Sequence, residues 1–173
     1  AREWERGTME QLASTPVSRL EVLLGKLLPY LGIGLVDVAL CSLLGVLIFH
    51  VPFRGNALFL MGASFAFLVG TLGLGLVISA VARTQMLATQ IGMIATFLPG
   101  FLLSGFMFPI DNMPLPLQLL TGLVPARYFL VVTRGIFLKG VGPDVLWPQG
   151  LLMIVYAVAG LALAVRAFRK ELA

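Results

Sequence analysis

The sequence predicts an all-α protein, a polytopic membrane helix bundle with four transmembrane helices. The composition supports this, because 59% of the 173 residues are hydrophobic and only 12% are charged, with a mean hydropathy of +1.00. A helix needs about 20 mostly apolar residues to cross the hydrocarbon of a bilayer. Four stretches meet that length, at about Leu24–Phe49, Ala57–Ala82, Met86–Phe108 and Trp147–Phe168.

The distribution of positive charge predicts the topology. Cytoplasmic segments carry the excess of Lys and Arg in membrane proteins. Such residues cluster before the first span, between the second and third, and after the last (Arg2, Arg6, Arg19, Lys26, Arg83, Arg166, Arg169 and Lys170). Both termini of this segment are therefore expected in the cytoplasm. We interpret the net charge of +4 as a consequence of the positively charged residues that set the membrane topology. We therefore expect no nucleic-acid partner.

Residues 1–21 are the only extended cytoplasmic segment that the pattern predicts. Thr8 with Gln11 and Ser18 with Glu21 each fit a capping box, in which a hydroxyl side chain and a Glu or Gln three residues later close the start of a helix. Pro16 ends the first of these helices. The pattern suits either a helix lying at the membrane interface or a docking element for a cytoplasmic partner. Because the chain begins without Met, we expect further sequence before it.

The second span carries small residues at helical spacing, which let helix backbones approach closely in lipid. They predict a tight bundle or a dimer seam and form two series, Gly62-Ala66-Gly70 and Thr71-Gly75-Ser79.

The third span carries Gln90, Thr96 and Pro99. Pro99 removes a backbone hydrogen bond and is expected to bend the helix. Broken helices line the path in many transporters, but they also occur as simple kinks.

Residues 109–146 predict an outer hairpin of two short helices that dips into the outer leaflet and returns. A fifth span over Leu117–Leu138 is rejected, because Arg127 and Arg134 would each cost about 2.5–3.5 kcal/mol at the bilayer centre. Asp111-Asn112 is expected to cap the first helix, and Lys139-Gly140 to end the second.

Asp37 is the sharpest individual candidate for function. It lies eleven residues beyond Lys26, or about 16 Å of helix rise, which predicts a position near the middle of the bilayer. Its helix face also carries small residues such as Gly34 and Cys41, so we expect it to point into the bundle. It either lines a substrate or ion path or is a protonated packing residue.

The motifs of common enzymes and nucleotide sites are missing from this sequence. Gly25-Lys26 is followed by Leu27, so it is not part of a Walker-type loop, and no H-E-x-x-H or G-x-S-x-G occurs. The single Cys41 and single His50 cannot form a ligand set on their own. We therefore expect no catalytic, cofactor or metal site, and no enzyme activity, in this chain.

Three motifs resemble one family, the membrane subunit (permease) of type-2 ABC exporters, particularly its bacterial multidrug-efflux-like group. They are EWERGTMEQL followed by STPV at Glu3–Val17, LSGFMFPIDNMP at Leu103–Pro114, and PARY at Pro125–Tyr128 with Arg134-Gly135 after it. The order and spacing of the motifs resemble the family over essentially the whole chain.

The resemblance implies a fold and a set of roles. The family has six spans, so this chain would supply the last four, plus a cytoplasmic coupling helix and a re-entrant outer helical hairpin. The expected divisions are 1–21 for coupling, 22–108 for three spans, 109–146 for the hairpin, 147–168 for the last span and 169–173 for the tail. Contact with the ATPase subunit is expected from Glu3, Glu5, Gly7, Thr8, Glu10, Leu12, Thr15 and Pro16.

The remaining expected site residues belong to the path and to the hairpin. The path is expected to involve Asp37, Gln90, Thr96 and Pro99. The hairpin is expected to depend on Pro109, Pro114, Pro125, Tyr128 and Arg134.

The expected function is that of a permease subunit in the bacterial inner membrane. Its partners would be an ABC ATP-binding subunit that holds ATP and Mg, a second permease copy or paralogue, and membrane lipids. The alternatives are a gradient-driven transporter with Asp37 as its proton or ion site, a membrane-embedded enzyme, and a scaffold subunit. The sequence does not identify the substrate.

Overall fold

A computed structural model describes residues 18–82 and 84–171 of the chain. These residues form helices joined by loops. The long helices are α1 (Arg19–Leu47), α2 (Ala57–Val81) and α7 (Pro143–Glu171). Between α2 and α7 lie the shorter α3 (Gln85–Gly92), α4 (Leu98–Leu102), α5 (Leu115–Thr121) and α6 (Pro125–Arg134), with π-turns at Met93–Phe97 and Gly135–Lys139 and a 3₁₀ turn at Ile110–Asn112.

Four helical segments in the described residues are long and apolar enough to cross a membrane, as the sequence predicted. The first, second and fourth belong to α1, α2 and α7, and the third consists of α3, the first π-turn and α4. We call Gln85–Leu102 the third span. Helices α5 and α6 are bent by 77° at their junction and form a broken span or a re-entrant loop. The polytopic all-α fold is therefore confirmed.

Helix α1 begins where the sequence predicts. The Ser18 hydroxyl accepts a hydrogen bond from the Glu21 amide at 3.4 Å, and the Glu21 carboxylate accepts one from the Ser18 amide at 2.8 Å. This reciprocal pair is a capping box, which satisfies two backbone N–H groups at the start of a helix. Pro29 lies within the helix without ending it.

Helices α2 and α7 approach each other most closely at glycines. A Cβ on Gly73 would lie 2.7 Å from the backbone carbon of Gly160, and a Cβ on Gly70 would meet the ring of Tyr156. Close backbone approach through small residues is the usual packing mode in lipid. Gly70 therefore lies in the tight bundle that the small residues predict. At Gly62 and Gly75 a Cβ would meet no neighbour within 4 Å in the described residues, and the alternative of a dimer seam stays a prediction there.

Two hydrophobic cores hold the bundle together. One joins α1, α2 and α7 toward the start of α1, around Leu23, Leu27, Leu31, Ala80 and Ala164. The other joins α2 and α7 to α6 and its π-turn, around Leu60, Ala63, Ala66, Val132, Ile136, Phe137, Leu146 and Met153.

The structure corrects two boundaries. The third span ends at Leu102 and not at Phe108, because Gly105 takes a positive φ of 83° in the bend that follows, which a helix cannot accommodate. Asp111 and Asn112 do not cap α5, since they lie in the 3₁₀ turn and Pro114 occupies the cap position with no side-chain hydrogen bond.

Candidate functional site

The most elaborate local structure is the hairpin, Leu115–Lys139, which α5, α6 and the second π-turn form. Aromatic contacts fix it to the rest of the chain. The rings of Phe67 on α2 and Phe129 on α6 stack with centroids 4.6 Å apart. Phe53 from the α1–α2 loop meets Phe137 edge to face at 5.0 Å. Aromatic pairs in these arrangements add to the stabilisation from burial, so the hairpin is anchored at the middle of α6 and at the π-turn that follows it.

Polar side chains hold the bend between α5 and α6. Thr121 is fully buried; its hydroxyl donates to the Gln118 carbonyl at 2.7 Å and accepts from the Arg127 guanidinium at 2.6 Å. The Tyr128 hydroxyl donates to the Gly122 carbonyl at 2.7 Å. Because these bonds cross from α6 to the end of α5, they fix the angle of the bend. Thr121 thus supplies Arg127 with a neutral partner.

The hairpin ends at a glycine in the left-handed backbone conformation, as predicted at Lys139-Gly140. Gly140 has a φ of 63° and caps the second π-turn. A Cβ at this position would lie 2.9 Å from the Cβ of Arg54. Glycine is therefore required both by the backbone conformation and by the approach of the α1–α2 loop.

A groove of about 530 Å³ lies between α1, α2 and α6; we call it the Asp37 groove. Its wall on α1 carries Asp37 beside small residues, and its wall on α6 carries Thr133 and Arg134. Both Asp37 and Arg134 are exposed. The face of α1 that carries Gly34, Asp37 and Cys41 borders α2 and α6 across the groove, and the role of Asp37 in a path stays a prediction. Neither Asp37 nor Arg134 makes a hydrogen bond or ion pair within the part of the chain that the structure describes.

A smaller cavity of about 270 Å³ lies between α2, the third span, α7 and the elbow where α6 begins; we call it the elbow cavity. Thr96 and Pro99 of the third span line it, together with Thr71 of α2 and Tyr156 of α7. The π-turn places Thr96 there, and its hydroxyl donates to the Gly92 carbonyl at 2.6 Å.

The regular pattern of backbone hydrogen bonds from each amide to the carbonyl four residues earlier is interrupted in the third span beside this cavity. The Leu98 amide donates to the Met93 carbonyl and not to that of Ile94. Pro99 has no N–H to offer to Ala95. The interruption that the sequence predicted at Pro99 is thus a π-turn followed by a restarted α-helix, and π-turns occur frequently at functional sites.

The predicted path residues fall in different places. Asp37 lies in the groove that bears its name, while Thr96 and Pro99 line the elbow cavity. Gln90 is exposed on the third span, away from both. Arg134 joins Asp37 in one groove, which the sequence did not predict.

The residues predicted to be important in the hairpin also lie in different places. Pro125 lines the elbow cavity, and Tyr128 secures the bend. Pro109 and Pro114 line a third depression of about 560 Å³ against the third span. The proposed coupling residues, Glu3 through Pro16, lie outside the described residues.

Sequence reasoning did not single out Tyr156, and it named Thr71 only as part of a small-residue series. Both are polar residues within predicted spans, and that is the signal that would have singled them out. They line the same cavity as Thr96 because of how three helices are rotated about their own axes. Residue spacing within one span does not specify that rotation.

Comparison with known proteins identifies relatives over nearly the whole chain. The profile of the family described as ABC-2 type transporter matches residues 1–138. The "Probable multidrug ABC transporter permease YbhS" of Escherichia coli (strain K12) is 48% identical over 158 residues, which is 91% of this chain and 42% of that protein.

Two other relatives from the same organism are more distant. The "Probable multidrug ABC transporter permease YbhR" is 33% identical over 99% of this chain and 46% of its own length. The "Inner membrane transport permease YhhJ" is 30% identical over 99% of this chain and 46% of its own length. The chain thus spans less than half the length of the curated relatives it matches. No solved structure matches it.

Proposed function

The chain belongs to the ABC-2 type transporter family, and from that membership we propose that it forms part of the permease of an ATP-driven exporter. The match to the family profile over residues 1–138 carries the proposal. Four apolar spans provide the membrane part that such a permease needs. The permease relatives named above make efflux of amphiphilic compounds, including organic cations, across the bacterial inner membrane the working hypothesis.

In this proposal a separate ABC subunit binds ATP and Mg and performs the hydrolysis. ATP binding draws two such subunits together, and residues 1–21 transmit the movement to the spans. The residues in contact with that subunit are Glu3, Glu5, Gly7, Thr8, Glu10, Leu12, Thr15 and Pro16. A ligand or partner can shift an equilibrium between two states only by binding them differently, so contact at this segment must differ between the inward- and outward-open states.

A second permease copy or paralogue completes the path, which lies between the two. The exposed third span, with Gln90 on its surface, is the surface that we assign to this contact, because a glutamine facing lipid has no hydrogen-bond partner there. The hairpin caps the path on the outer side, and both termini of the segment lie in the cytoplasm. The Arg134 side chain, which has no partner in the described residues, faces the Asp37 groove beneath that cap.

Co-expression tests the proposal. The complete permease is purified together with the ATP-binding subunit encoded beside its gene, reconstituted in proteoliposomes and assayed for ATP hydrolysis with and without ethidium. We expect the two subunits to co-purify and ATP hydrolysis to drive ethidium transport. Failure of the subunits to associate under co-expression would overturn the assignment.

Asp37 supports one alternative. An exposed carboxylate in a groove of a spanning helix, unpaired within the described residues, also suits a proton or ion site of a gradient-driven transporter. That reading predicts transport without any ATPase.

A further inference from the structure

We propose that the elbow cavity binds a small, uncharged amphiphile that carries an O–H or N–H donor, such as a phenol. The cavity has about 270 Å³, which is below the usual range of about 300–1,000 Å³ for drug-sized ligands. It therefore suits a molecule of roughly the size of a substituted phenol. The inference does not depend on the transport function, because it concerns binding within one chain.

The walls of the cavity carry no charged side chain. The residues that line the cavity are apolar, hydroxyl-bearing or glycine, and none of them is charged. A buried charge without a partner is very unfavourable in an apolar site. Phe67, Leu74 and Leu123 provide apolar surface for an aromatic or branched aliphatic body.

The polar groups in the wall are mainly acceptors. The Thr71 hydroxyl donates to the Phe67 carbonyl at 2.8 Å, and the Thr96 hydroxyl donates to the Gly92 carbonyl at 2.6 Å. Because a hydroxyl has a single proton to donate, both oxygens retain only lone pairs for a further partner. A ligand that hydrogen-bonds to them must therefore supply the proton.

The interrupted helix borders the same cavity. Ala95 and Pro99 line it, and Pro99 has no N–H to donate to the Ala95 carbonyl as a regular helix would. The two threonine hydroxyls are the acceptors on which the need for a donor rests.

Tyr156 is the polar group of the wall that can donate as well as accept. Its ring packs against Gly70, and its hydroxyl has no hydrogen-bond partner among the residues that the structure describes. A phenolic ligand can accept from Tyr156 with its oxygen while it donates its own proton to a threonine hydroxyl. This pairing distinguishes the site from an apolar crevice that lipid chains fill by shape alone.

Thymol is a suitable probe, since it is small, uncharged and carries one hydroxyl. Radiolabelled thymol is equilibrated with the complete permease in nanodiscs, and binding to empty nanodiscs is subtracted. We expect a saturable component at one site per chain. Thymol methyl ether, which lacks the proton, should bind about tenfold more weakly if one hydrogen bond is lost.

Variants locate the site. Tyr156→Phe and Thr96→Val should each weaken thymol binding about three- to tenfold, and Ala126→Phe, which fills the elbow, should abolish the saturable component. Tyr30→Phe is the matched control, because Tyr30 is 64% exposed on α1 and should bind thymol like the wild type. Thermal melting of each variant checks its folding.

Three results would overturn the proposal. Wild-type binding equal to that of empty nanodiscs would mean that water or lipid fills the cavity. Equal affinities for thymol and its methyl ether would contradict the need for a donor. Equal affinities for Tyr156→Phe and Tyr30→Phe would locate the ligand elsewhere, and this comparison remains decisive even if Ala126→Phe does not fold.

Discussion

The Arg127 guanidinium donates a hydrogen bond of 2.6 Å to the buried hydroxyl of Thr121 across the bend of the hairpin. The same hydroxyl donates to the Gln118 carbonyl, so one oxygen connects the end of α5 to the first turn of α6. An arginine in an apolar setting is normally paired with an acid or a lipid headgroup. Here a neutral hydroxyl satisfies part of its donor capacity and fixes its direction.

Replacement of Thr121 with Val should destabilise the protein. Val keeps the shape but leaves Arg127 and the Gln118 carbonyl without this partner, and an unmet buried polar group costs about 1–3 kcal/mol. The free energy of unfolding in mixed micelles should fall by about that amount. Thr89→Val, on the exposed face of α3 where the hydroxyl bonds only the Gln85 carbonyl, should change it far less. Equal losses in the free energy of unfolding for Thr121→Val and Thr89→Val would contradict the role of Thr121 in holding the bend.

Gly73→Ala should destabilise the contact between α2 and α7. The added Cβ would lie 2.7 Å from the backbone carbon of Gly160, and backbone atoms cannot move aside as a flexible side chain can. Overpacking of this kind costs about 1–3 kcal/mol. Gly75→Ala, two residues along the same helix with nothing within 4 Å, should leave the melting temperature unchanged or raise it. A stable Gly73→Ala variant would show that the two helices separate easily.

Glu10→Lys should uncouple ATP hydrolysis from transport in the complete complex, since the proposed contact with the ATP-binding subunit would be reversed in charge. We expect hydrolysis to persist while ethidium transport falls at least tenfold, as measured in proteoliposomes. Gly7→Trp should have the same effect through bulk. Asp144→Lys, the same change in charge at an exposed site at the start of α7, serves as control. Unchanged transport in both Glu10→Lys and Gly7→Trp would contradict the coupling role.

Asp37→Asn separates the two proposed energy sources. The substitution removes the titratable group but retains a polar side chain of similar size. For an ATP-driven exporter, transport should remain dependent on ATP and stay within about threefold of the wild type, since Asp37 makes no hydrogen bond or ion pair with the described residues that Asn would lose. For a gradient-driven transporter, uptake driven by an imposed proton gradient would be abolished. Measurement of both in the same vesicles, with Asp144→Asn as control, decides between them.

The sequence predicted those features that depend on near neighbours in the chain. Ser18 and Glu21 are three residues apart, and a capping box needs nothing further. The end of the hairpin at Gly140 follows from the glycine and the lysine before it. The four spans follow from length and apolarity, because every backbone group in lipid must be satisfied within a helix.

Other features depend on contacts between helices, and one depends on a local backbone constraint. The face of α1 that carries Asp37 borders α2 and α6, but the presence of Arg134 in the same groove depends on how α1 and α6 are placed, which spacing within α1 does not specify. Asp111 had the right chemistry for a cap, yet Pro114 fixes the backbone at the start of α5 and leaves the acid in a separate turn. The meeting of Thr71, Thr96 and Tyr156 likewise arises from three helices at once.

Helix α6 borders two spaces at its two ends. Pro125 and Ala126 at its start line the elbow cavity, whereas Thr133 and Arg134 at its end line the Asp37 groove. The stack of Phe129 on Phe67 lies between these ends. Because one short helix supplies a wall to each space, any displacement of α6 as a rigid body would change the shape of both.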